Sequence, residues 1–162
     1  MRIIELDKVI NKEKTIMIFV EGTILKPKSW LYLYSHSAYI PIDKAPELLK
    51  TWEAQGVNII YCTSRKRKQA DNIAKILKQH SFPGSWLVSR DNGEKYKDIV
   101  EQLKPDILIE DDCKSIGGSW QMCITKVQAE IKENMKSIIV PEFKGISHLP
   151  SDIKELVNVK SN

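Results

Sequence analysis

No stretch of this chain is apolar for the ~20 consecutive residues that a membrane-spanning helix needs, so no membrane span is expected. Cysteine is scarce. Cys62, Cys113 and Cys123 form an odd set without Cys-x-x-Cys spacing, which argues against a disulfide framework or a zinc site and suits reduced thiols in the cytoplasm. The opening MRIIELDKVINKEK carries acids early and has no long apolar core, so no leader is expected. Neither sign of charge dominates. A net charge of +4 accommodates an anionic ligand but does not argue for nucleic acid, which stays the less favoured partner. Repeats, low-complexity runs and linkers are all missing, and 162 residues are short for two cores, so 1–162 reads as one domain.

What the chain does have is a recurring short apolar run. TIMIFV (15–20), VNIIYC (57–62), SWLVS (85–89), DILIE (106–110) and SIIVP (137–141) have strand length without clean alternation, as expected of strands buried on both faces of a parallel sheet. Helical spacing lies between them. Residues 43–55 set Ala45, Leu48, Leu49 and Trp52 on one stripe, with Asp43 as the expected N-cap, Pro46 in the first turn and Gly56 as the stop. Ala70, Ile73, Ala74 and Leu77 do the same in 66–80, and Tyr96, Ile99, Val100 and Leu103 in 93–104. A weaker helix fits 125–135, and a short one is expected in the tail 142–162 from Ser151 or Asp152. Alternating strands and helices predict a doubly wound, mainly parallel three-layer α/β sandwich. In such sheets ligands sit beyond the carboxyl ends of the strands.

Three of those ends carry chemistry. The first strand ends Val20-Glu21-Gly22-Thr23, the second Cys62-Thr63-Ser64-Arg65, and the fourth Glu110-Asp111-Asp112. Singly these read as a turn, a helix cap and a solvated loop. Together they gather an acid, two hydroxyls and an acidic cluster at one edge of the sheet. Residues 65–68 read Arg-Lys-Arg-Lys at a helix start, where free backbone N–H groups favour an anion although the helix dipole disfavours the cations by ~0.3–1 kcal/mol each.

This pattern resembles the haloacid dehalogenase-like superfamily, chiefly phosphatases and phosphotransferases, over roughly residues 14–141. That family's first motif is a strand ending Asp-x-Asp-Gly-Thr, its second a strand ending in Thr or Ser, its third a Lys, and its fourth a strand ending in paired acids. The tract LIEDDCKSIGG is also similar to a group of uncharacterised bacterial proteins of the superfamily. The resemblance implies a Rossmann-like sheet, with Gly22, Thr23, Ser64 and Arg65 around a ligand and Glu21, Thr63 and Lys95 or Lys97 in catalytic positions. It also implies Asp111 and Asp112 as magnesium ligands. Lys95, beside Tyr96 at the helix start, is preferred to Lys97.

The first motif is degenerate. Counting back from Gly22, the second acid falls on Glu21 and the first on Phe19. In the family that first Asp attacks phosphorus and ligates magnesium, and Phe does neither. Dismantling a coupled catalytic set costs ~10⁶-fold in the protease where it has been measured. Magnesium binding, which often uses only one or two carboxylates, would be weakened. Three readings follow. In the first, the chain binds a phosphorylated small molecule or nucleotide, or magnesium, without phosphoaspartyl catalysis. In the second it is a working phosphatase or nucleotidase, with Glu21 as base toward water and Asp111 and Asp112 holding magnesium. In the third it is a scaffold for a protein partner. The stretch 24–41, ILKPKSWLYLYSHSAYIP, suits a flap hairpin and is too short for a cap domain. That leaves the site open to a macromolecular ligand or to a second subunit. Trp30, Tyr32 and Tyr34 could stack on a base or sugar, and His36 could titrate near the site.

Overall fold

The computed structural model describes residues 1–6, 14–29, 38–66 and 68–159. Trp30, Tyr32, Tyr34, His36 and Arg67 lie outside the described residues.

Six strands form the main sheet: β1 (Arg2–Glu5), β2 (Lys14–Phe19), β5 (Val57–Thr63), β6 (Trp86–Ser89), β7 (Ile107–Asp111) and β8 (Lys136–Val140). Their order is β1-β6-β5-β2-β7-β8, parallel throughout except for β1, which pairs antiparallel with β6. The chain leaves β2 toward β5 and β6, then crosses back to β7 and β8. The topological switch therefore falls at β2, between Thr63 on one side and Asp111 on the other. A separate two-stranded ribbon joins β3 (Leu25–Pro27) to β4 (Tyr39–Pro41) as the base of the expected flap.

Period-two alternation divides the sheet's side chains into two cores. Ile16, Ile18 and Val20, with Ile59, Tyr61, Ile107 and Ile109, pack under α1 (Ala45–Ala54), α2 (Lys68–Gln79) and the terminal α5 (Ile153–Leu156). Met17, Ile60, Cys62, Val88 and Leu108 face α3 (Tyr96–Leu103) and the segment around Cys123, Val127 and Met135. This is the three-layer α/β arrangement expected from the apolar runs. The tail is fastened by polar contacts as well as apolar ones. Trp52 donates its indole N–H to the Pro150 carbonyl at 3.0 Å, and the Gln55 amide donates to the Ser151 carbonyl at 2.8 Å.

Several local expectations are corrected. Asp43 does not cap α1; it sits at φ 47°, and Lys44 takes the N-cap without a side-chain bond. Neither Thr63 nor Ser64 caps α2, which begins four residues later at Lys68. The 125–135 helix is only α4 (Ala129–Glu133), preceded by a 3-10 turn at Ile124–Lys126. The tail helix does begin after Asp152, whose carboxylate accepts from the Lys154 N–H at 2.8 Å. Among the described residues no helix is long and apolar enough to cross a membrane.

Candidate functional site

The carboxyl ends of β2, β5 and β7 converge as the topology requires. Phe19 pairs in register with Cys62, and Ile18 with Ile109, so the three segments that follow are neighbours. Gly22 turns the chain at φ 85°, and its N–H donates to the Leu25 carbonyl at 3.0 Å. A Cβ at Gly22 would stand 2.7 Å from Asp111 Oδ1. Only glycine tolerates both that φ and that approach. The closeness brings Thr23, fully buried, to Asp111: its hydroxyl donates to Oδ1 at 3.1 Å, and the Cys113 N–H donates to Oδ2 at 3.1 Å. Burial pushes the Asp111 carboxyl above its ordinary range, against the pull of those two donors.

Glu21 does something the sequence did not disclose. Its carboxylate lies across the end of β5, accepting from the Thr63 hydroxyl and, at 2.9 Å, from the Ser64 N–H. Arg65 Nε stands 3.9 Å from the same carboxylate, while Arg65 Nη2 donates to the Tyr39 hydroxyl at 2.6 Å. Thr63 also accepts from the Arg65 N–H at 3.1 Å, a local hydroxyl turn rather than a helix cap. The Thr63 and Ser64 donors that sequence reasoning assigned to an anionic ligand are thus spent on the chain's own carboxylate, while Arg65 Nε faces it without a hydrogen bond. The extra methylene of Glu over Asp supplies the reach. Thr63→Val should therefore cost ~1–3 kcal/mol, because it strands partners on Glu21 and Arg65; urea unfolding of the two proteins measures it.

Phe19 leaves the edge altogether. Its ring packs edge-on against Tyr96 with centroids 5.3 Å apart. A second neighbour of Tyr96 is Arg90, whose guanidinium carbon lies 4.0 Å from the ring centroid. Arg90 follows directly on β6, and no motif spacing points to it.

The acidic triplet is divided three ways. Glu110 points to the other face, 3% exposed, and accepts from the Cys123 N–H at 2.6 Å and the Ile124 N–H at 2.8 Å. Burial pushes its carboxyl up to about 7. Asp112 accepts from the Glu142 N–H at 3.1 Å and pairs with Lys114 at 3.0 Å. Both lysines considered for the third motif belong to the start of α3. Lys95 is the N-cap of α3 and is exposed, and Lys97 pairs with Asp98 at 3.0 Å and Glu101 at 3.4 Å on its own helix. Burial and Asp111 push the Cys113 thiol up to about 12, which leaves little thiolate at neutral pH.

The donor set does not fit magnesium as it stands. All four oxygens of Asp111 and Asp112 are engaged by protein donors, and among the described residues no three acids, histidines or cysteines converge.

Solved structures share the fold. The class C acid phosphatase from Bacillus anthracis superposes with a TM-score of 0.59 at 17% identity, over 94% of this chain and 82% of that one. A chain of the Pnkp1/Rnl/Hen1 RNA repair complex gives 0.58 at 15% identity, over 84% of this chain. The present chain spans only 45% of that second one. At such identities the likeness is one of fold: the mainly parallel, doubly wound α/β architecture expected from the sequence is the one observed. No curated protein matches the chain. One family model does, over residues 17–110, from inside β2 to the Glu110 position of β7: the chain belongs to the family described as PITM 1-3, LNS2 domain.

Proposed function

We propose that this chain binds a phosphorylated small molecule or nucleotide at the carboxyl edge of its sheet and forms no phosphoaspartyl intermediate. The observation that carries the reading is Phe19, which holds the position of the first-motif acid and is turned into a ring contact with Tyr96. An aromatic ring offers neither a nucleophilic oxygen nor a metal ligand. Glu21 is a poor substitute as a base, because two of its acceptor sites are taken by Thr63 and Ser64. Shared architecture with an acid phosphatase supports phosphate as the ligand chemistry. Magnesium is not required by this reading, since each oxygen of Asp111 and Asp112 already faces a protein donor that a cation would have to compete with. Free Cys62, Cys113 and Cys123 suit a reducing compartment, and the cytoplasm is the proposed location.

The test joins turnover to trapping. The purified chain is incubated with an aryl phosphate, with and without magnesium, and its intact mass is read for an added phosphoryl group. Hydrolysis no faster than a buffer blank, with no adduct, is expected. Turnover that disappears in Glu21→Ala, or an acyl phosphate on any residue, would overturn the reading in favour of a working hydrolase.

A further inference from the structure

A cavity of about 360 Å³ opens at the carboxyl end of β6, lined by Arg2, Lys66, Ser89, Arg90, Asp91 and Asn92. Ser89 is the register partner of Thr63, so the cavity begins one strand beyond the Glu21–Thr63 contact, about 4.8 Å along the hydrogen-bonding direction. Three cations and one carboxylate make up its charge. Two of the four are already matched: Arg2 Nη2 bonds Asp71 Oδ1 at 2.6 Å, and Asp91 takes the Met1 ammonium at 2.9 Å, with Glu94 3.1 Å from that same ammonium. Lys66 and Arg90 are left to the cavity.

Arg90 is built for an oxyanion. Its guanidinium carbon lies over the Tyr96 ring, 4.0 Å from the centroid, and its Nε is buried without a hydrogen-bond partner. A buried cationic donor with no acceptor carries a desolvation penalty that an arriving oxygen would relieve. The guanidinium fork, held against the ring, matches two oxygens of a phosphate at little entropic cost. Arg65 Nε is also buried without a hydrogen-bond partner, but the Glu21 carboxylate 3.9 Å from it neutralises its charge and would repel an anion, and the same carboxylate takes the Thr63 and Ser64 donors. We infer that the cavity at the end of β6, with Arg90 and Lys66 in its wall, is the seat for the phosphate of a small phosphorylated molecule. The inference rests on the proposal that this edge takes a phosphorylated ligand, and moves the phosphate from β5 to β6. The volume lies within the ~300–1,000 Å³ usual for small-molecule sites, with room for a sugar-sized group beside the phosphate.

Nitrogen-15-labelled protein is titrated with inorganic phosphate, ribose 5-phosphate and ribose, at ionic strength matched with chloride. Saturable amide shifts at Lys66 and residues 89–92 are expected with both phosphates and not with ribose. Arg90→Gln should abolish them, and Lys66→Gln should weaken binding about tenfold. Lys66 is exposed, so its variant folds and decides the matter even if Arg90→Gln does not; unchanged affinity in Lys66→Gln overturns the inference. Shifts centred on Glu21, Thr63, Ser64 and Asp111 overturn this seat while leaving phosphate binding in place. The absence of saturable shifts with either phosphate overturns both. Equal shifts with chloride or ribose mean a nonspecific surface and overturn the seat as well.

Discussion

Gly22→Ala should destabilise the protein by roughly 2–5 kcal/mol and lower its melting temperature on the order of 10 °C. Two penalties act together. At φ 85° an L side chain is strained by about 1–2 kcal/mol. The new methyl would also press on the Asp111 carboxylate, 2.7 Å from Oδ1 and 2.8 Å from Cγ. Relieving that contact means turning Asp111, which is buried and held by Thr23 and the Cys113 N–H. Overpacking of this kind costs ~1–3 kcal/mol. A change under ~1 kcal/mol in urea unfolding would show that Asp111 swings away freely and that its two bonds do little to fix it. In the sequence Gly22 sets the motif's register and is expected beside a ligand. The structure adds its physical reason: the turn brings the chain against a carboxylate from a strand 88 residues distant.

Between pH of about 4.5 and about 7 the wild-type protein should lose about 3 kcal/mol of stability as pH rises, and Glu110→Gln should not. The sign follows from proton counting. Burial raises the folded-state value from 4.5 to about 7, so in that window the folded chain holds a proton that the unfolded chain has released. Stability from this group is complete below about 4.5 and is lost as pH climbs through about 7. Other titrating groups contribute to the raw curve, but the wild-type-minus-Gln difference isolates Glu110. Gln brings a fixed offset of its own. Its amide has one acceptor oxygen for the N–H groups of Cys123 and Ile124, so one donor is stranded at ~1–3 kcal/mol at every pH. The wild type should therefore lead at acid pH, with the gap narrowing toward neutrality. Parallel stability curves from pH-stepped urea titrations would rule this out.

The sheet was legible because its four inner strands, β6, β5, β2 and β7, are largely buried on both faces and read as apolar runs, and β8 at the edge keeps the run SIIVP. The β1 strand was not: Arg2–Glu5 is four residues long, lies at an edge and alternates, so its pairing with β6 leaves almost no trace in composition. Helix ends were misjudged where tertiary contacts overrode local preference, as at Asp43, whose backbone adopts φ 47° instead of a capping conformation. At the site, the place of Phe19 three residues before Gly22 could be counted, but the destination of Glu21 could not. That depends on β2 lying beside β5 in a register that sets Phe19 against Cys62. The division of Glu110 from Asp111 follows from strand alternation, yet which of them faces α3 depends on packing. Arg90 was missed because a single cation after a strand has no periodicity. Its meaning comes from Tyr96, six residues on, and from Phe19 on a different strand.

The Phe19, Tyr96 and Arg90 cluster also gives the protein a magnetic signature of its own. Methylene protons of an arginine held over a phenol face are shielded by its ring current, and aromatic protons at an edge-to-face contact are displaced in the same way. Upfield lines from Arg90 should therefore stand clear in an ordinary proton spectrum. They would move when anything draws the guanidinium off the ring, so the molecule carries an intrinsic, label-free gauge of whatever visits that corner.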